Sequence, residues 1–142
     1  MSSREQLKAQ VAAAIDARAD ELVAIATKIL ENPEPGFREV KTSSLVTQTF
    51  RELRIRHRQD LAITGVKGEV LGASEGPTIA IIGELDSLIV REHPHADTQT
   101  GAAHACGHHA QIAMMLGAAA ALRLPEVLAE LSGRIVFMAV PA

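Results

Sequence analysis

Pro77-Thr78-Ile79-Ala80-Ile81-Ile82-Gly83 is a short apolar run rich in β-branched residues, and it delivers Glu84-Leu85-Asp86 at its carboxyl end. Bounded by Gly76 and Gly83, the run predicts a buried strand of the kind found in parallel sheets that are covered by helices. In open α/β sheets the carboxyl ends of the strands are where sites are assembled, so two acids arriving there are candidates for chemistry. The plainer alternatives are that Asp86 is a turn or helix-cap acid and Glu84 a solvated loop charge.

Working outward, Ser2 or Ser3 can cap an amino-terminal helix, with Glu5 and Gln6 at capping-box offsets. Leu7, Val11, Ile15, Ala19, Leu22, Ile25 and Ile29 step by three or four residues, which predicts one long helix with a single apolar stripe. Asn32 to Gly36 ends it, and a second helix follows with Leu45, Val46, Phe50 and Leu53 facing inward. Asp60 to Leu71 reads as extended chain ending at Gly72, and Gly72 to Pro77 as a hairpin connection into the acid-bearing strand. Ala110 to Leu124 reads as a helix with Ile112, Met115, Leu116, Ala119 and Leu122 inward, its methionines core filler rather than ligands. Pro125 opens a short helix that Gly133 closes, and Arg134 to Val140 is a last buried strand. The expected class is α/β, with helices packed on a small mixed, largely parallel sheet of three or four strands and at least one edge left open. There is no internal repeat and no low-complexity segment.

His104-Ala105-Cys106-Gly107-His108-His109 precedes the predicted helix. His104, Cys106 and His108 alternate with small residues, so an extended segment would set all three side chains on one face, where a borderline-soft cation such as zinc accepts nitrogen and sulfur. Gly107 permits a sharp bend, which puts His108 and His109 in the first helical turn. A helix amino terminus lowers a thiol pKa, favouring Cys106 as thiolate if the dipole points at it. The alternative is a cluster of satisfied polar residues around a cysteine that acts as a small buried hydrophobe, in a chain with six histidines, two of them (His93 and His95) in a polar loop.

At 142 residues and 47% hydrophobic the chain can bury one core, but only 2% is aromatic, so that core must be lined by alanine and aliphatic side chains. A net charge of -3 gives no electrostatic case for nucleic acid or an anionic membrane. Arg51, Arg54, Arg56, His57 and Arg58 form a local basic patch, read as a solvated surface near a helix end because no aromatic residues are interleaved with it. No apolar stretch is long enough for a bilayer span, and Met1 to Lys8 is unlike a signal peptide, so a cytoplasmic location is expected. The single cysteine cannot form an internal disulfide.

Four stretches, in order, carry a resemblance: Asn32-Pro33-Glu34-Pro35-Gly36-Phe37-Arg38-Glu39 with Lys41-Thr42-Ser43, Gly83-Glu84-Leu85-Asp86-Ser87-Leu88, His104-Ala105-Cys106-Gly107-His108, and Val140-Pro141-Ala142. Together they resemble the metal-dependent amidohydrolases, which include N-acyl-amino-acid, indole-acetyl-amino-acid, hippurate and aminobenzoyl-glutamate hydrolases and are related to aminoacylases and zinc metallo-carboxypeptidases. The resemblance implies part of a zinc-exopeptidase-like catalytic domain. It implies Cys106 and His108 as ligands of a centre of two divalent ions, zinc or manganese, with Asp86 as the acid beside it. Glu84, His104 and His109 are implied near the ligands; Glu84 stands where the family usually has a different acid, and His109 where it usually has an acid, which leaves the orientation of the ligands in question. In the family the Pro-Ala pair is followed by a general-base glutamate and a ligand glutamate. The expectation is therefore that residues 1–142 form the amino-terminal part of such a domain, without the lid or dimerisation domain, and are inactive alone. The implied substrates are small N-acyl or aminobenzoyl amino acids, and homo-oligomers through the open sheet edge are a further expectation. Two other readings remain: a truncated, non-catalytic product that binds metal or a partner chain, and a structural zinc module, the weaker because such sites usually close with four ligands.

Overall fold

Residues 3–142 are described by a computed structural model with six strands and five helices among them: α1 (Arg4–Asp16), α2 (Ala19–Leu30), α3 (Val40–Glu52), β1 (Arg56–Leu61), β2 (Gly65–Leu71), β3 (Ser74–Glu84), β4 (Leu88–Ile89), β5 (Ala102–Ala103), α4 (His108–Leu122), α5 (Pro125–Leu128) and β6 (Ser132–Val140). Ser3 caps α1 in a reciprocal capping box with Gln6, whereas Ser2 lies outside the described residues. The expected single long helix is two helices broken at Ala17–Arg18. One straight helix over that stripe would run about 35 Å, longer than α4, on which both halves pack, so the chain bends to keep its apolar side on the domain. Burial follows the bend: α1 buries no residue fully, while α2 buries Ile25 and Ile29.

The stretch expected to be extended from Asp60 to Leu71 contains a turn: Ala62 and Ile63 take positive φ (46° and 83°), and β1 folds back antiparallel on β2. The sheet order is β1-β2-β6-β3. β2 and β3 therefore do not form the expected hairpin, because β6 lies between them, antiparallel to β2 and parallel to β3. The α/β class stands, but two of the three pairings are antiparallel, so the sheet is mixed rather than largely parallel. β6 carries Val136, Phe137 and Ala139, all buried, and lies inside the sheet, whereas the run expected to be a buried strand is not. β3 instead is an edge strand, with Ile79 and Ile82 58% and 55% exposed. The expected open edge is present.

α3 and α4 cover the sheet, and the core joins Val46, Phe50 and Leu53 of the α3 region to Ile112, Met115 and Leu116 of α4 and to Phe137 of β6. Phe50 and Phe137 pack tilted, with ring centroids 6.3 Å apart. Met115 is core filler as expected, but Met114 faces out. This packing brings the carboxyl end of β3 under the first turn of α4, while the small β4–β5 pair, Leu88 opposite Ala103, carries the chain from Ser87 back to His104.

Candidate metal centre

Three local features build the site. β3 ends at Glu84, and the Leu85 N–H donates to the Val140 carbonyl (2.8 Å), which extends the register with β6 past the strand end. Gly107, at the amino end of α4, has φ +91°, a conformation that a side-chain-bearing residue would adopt only under strain, and it turns the chain so that the helix starts on His108. Gln111, one turn into α4, accepts the Glu84 N–H on Oε1 (2.6 Å) and so ties the strand end to the helix.

His108 stands between the two acids. Its Nδ1 lies 3.0 Å from the Asp86 carbonyl and 2.8 Å from Asp86 Oδ1, and its Nε2 lies 3.0 Å from Glu84 Oε2. Only the carbonyl lies along the Nδ1–H direction, and Asp86 Oδ1 has no hydrogen-bond donor although it is buried. Because Nδ1 faces only acceptors it carries a hydrogen, and Nε2, beside the Glu84 carboxylate, either carries a second hydrogen or offers its lone pair to a cation. A lone pair 3.0 Å from a carboxylate oxygen requires a proton or a cation between them.

The other motif residues lie apart from this contact. The chain from Ala105 to Cys106 is a turn, not the extended segment that would align His104, Cys106 and His108. His104 therefore points inward, 5% exposed, while Cys106 is exposed, and the expected shared face does not form. His104 and His109 pack tilted, with centroids 5.5 Å apart; both nitrogens of His104 and Nδ1 of His109 are buried without a hydrogen-bond partner. Burial, reinforced by neighbouring His109 and His108 and opposed by Asp86, lowers the His104 pKa to about 4. His109 is lowered by burial and then by His108.

Among the described residues no group of three or more His, Cys, Asp or Glu is arranged to hold a metal ion. The donor chemistry still fits a divalent cation in part: an imidazole with its second nitrogen fixed, a buried carboxylate oxygen without a donor, and a thiol two residues before that imidazole. Two supporting residues had no separate signal in the sequence. Gln111 lies 27 residues from its partner, and Ser87 donates from N–H (2.9 Å) and Oγ (2.7 Å) to the Glu34 carbonyl, 53 residues away.

No family model matches the chain. It is 38% identical over 126 residues to an IAA-amino acid hydrolase of Arabidopsis thaliana, an alignment covering 87% of this chain and 28% of that protein. With an N-acetyl-L-cysteine deacetylase of Bacillus subtilis it shares 34% identity over 125 residues, 86% of this chain and 30% of the relative. A solved Bacillus subtilis structure, described as a dinuclear metal binding peptidase from the M20 family, superposes with a TM-score of 0.79 at 32% identity, over 89% of this chain and 36% of that one. The chain thus spans about a third or less of the length of these relatives. No helix among the described residues is long and apolar enough to cross a membrane.

Proposed function

We propose, for a chain that belongs to the family of metal-dependent amidohydrolases and M20 peptidases, that residues 1–142 form the part of an amide-hydrolysing catalytic domain that supplies two metal ligands, Cys106 and His108, and the orienting acid Asp86. The observation that supports this reading is the bond of His108 Nδ1 to the Asp86 main-chain carbonyl with the Asp86 carboxylate alongside, which leaves Nε2 as the ring nitrogen to meet an ion. Divalent ions, zinc or manganese, would lower the pKa of a bound water and polarise the scissile carbonyl. Glu84, with its carboxylate beside Nε2, balances positive charge there and bounds the site on the β3 side. His104 and His109 form an uncharged wall behind His108, consistent with pKa values held low by burial. The substrates of this reading are small N-acyl amino acids, as the names of the IAA-amino acid hydrolase and the N-acetyl-L-cysteine deacetylase suggest, with aminobenzoyl amino acids a further class implied by the resemblance.

Because no three donors converge among the described residues, the chain alone should show no amide turnover. The test is amine release from N-acetyl, indole-acetyl and aminobenzoyl amino acids with zinc or manganese present, for this chain and for a chimera that joins it to the remaining length of the Bacillus subtilis deacetylase. The chimera should turn over substrate, and Asp86→Ala should lower its rate by at least about a hundredfold. A chimera as active with Cys106→Ala or Asp86→Ala as without would contradict the assignment.

A further inference from the structure

The Asn32–Arg38 stretch stands apart in sequence from both acids and histidines, yet its hydrogen bonds run to the site. The Glu34 carboxylate accepts the backbone N–H groups of Lys41 (2.9 Å) and Thr42 (3.0 Å) and the Thr42 hydroxyl (3.2 Å), so it caps the start of α3 from outside the helix. The Glu34 main-chain carbonyl accepts both the N–H and the hydroxyl of Ser87, and Pro35 pairs with Ser87 in a parallel bridge. Ser87 is covalently next to Asp86, whose carbonyl and carboxylate face His108. The loop also meets the end of β6, where Gly36 has no room for a Cβ against the Ala142 carbonyl.

From this chain of contacts we infer that Glu34 is a positioning residue for the candidate metal centre: its carboxylate anchors the loop on α3, the loop carbonyl holds Ser87, and Ser87 fixes the peptide through which Asp86 orients His108. The inference rests on the proposed role of Asp86 and His108 and adds a residue that touches neither metal nor substrate. A carboxylate is needed because it alone offers two charged oxygens to two parallel N–H donors and a hydroxyl, which a neutral side chain cannot reproduce. A purely structural role for Glu34 would loosen α3 and leave the His108 ring where it is.

The test is long-range proton–nitrogen NMR on the metal-free 142-residue chain labelled at its histidine rings. His57, on β1 at the opposite edge of the sheet and bonded through Nδ1 to the Ile55 carbonyl (2.8 Å), reports whether the fold is intact. The Nδ1–H resonance of His108 should move or be lost to exchange in Glu34→Ala, move less in Glu34→Gln, which keeps one acceptor oxygen, and shift in Ser87→Ala, all with His57 unchanged. Unmoved His108 signals in Glu34→Ala and Ser87→Ala, beside an unmoved His57, would overturn the inference. Should Glu34→Ala disturb His57 as well, Ser87→Ala, which removes only a hydroxyl, decides by the same criterion. No metal enters this measurement, so a failure of metal binding and a failure of the positioning inference are separable.

Discussion

His108 has its Nδ1 on the Asp86 main-chain carbonyl and its Nε2 beside the Glu84 carboxylate, and that small geometry separates what the sequence made legible from what it did not. Asp86, Glu84 and His108 were readable because each belongs to a short stretch with its own signal: an apolar run ending in acids, and a histidine-rich turn before a helix. The face-sharing of His104, Cys106 and His108 was misread, because alternation places side chains together only in extended chain, and a turn divides them into a buried histidine and an exposed thiol. Gln111, Ser87 and the two-sided role of Glu34 could not be read at all, since each acts through a contact that only the tertiary fold creates. His104 adds a pH dependence to stability. Its pKa falls from 6.5 to about 4 in the folded chain, so between those values the unfolded chain binds a proton that the folded chain does not. Stability of the metal-free chain should therefore fall as pH drops through 6.5 and level off below about 4. Denaturant unfolding between pH 7.5 and 4 should show a shallower decline in His104→Phe than in the wild type.

At the scale of elements, propensity and periodicity located most helices and strands, and failed where packing decided. The apolar stripe from Leu7 to Ile29 was real, but the length of α4 set where the helix had to bend. Strand identity was legible and strand order was not, because β6 takes its place between β2 and β3 through long-range pairing. The β1–β2 turn leaves a local mismatch: Ile63 is exposed and β-branched at φ 83°. Left-handed backbone costs such a residue about 1–2 kcal/mol, so Ile63→Asn should raise stability by about 1 kcal/mol, read as a higher denaturation midpoint at constant slope. Phe50 is fully buried between α3 and the sheet, and Phe50→Ala should cost about 3–5 kcal/mol in the same assay.

Across the whole molecule, the mixed sheet brings the carboxyl end of β3 beneath α4 and leaves β3 as an edge strand that exposes Ile79 and Ile82. An edge of that kind pairs with another strand, so the isolated chain should self-associate, and Ile82→Lys should shift sedimentation toward monomer. The low aromatic content was legible as an alanine-rich core, and α4 carries it, with Ala113, Ala119, Ala120 and Ala121 buried. Cys106 and His108 are proposed to take a divalent ion together, and cobalt(II) titration followed by absorption reads this out, because a thiolate on cobalt gives a near-ultraviolet charge-transfer band. That band is expected in the wild-type chain, with its loss in Cys106→Ala and its weakening in His108→Ala. No thiolate band in the wild type, or a band indifferent to His108→Ala, would contradict it.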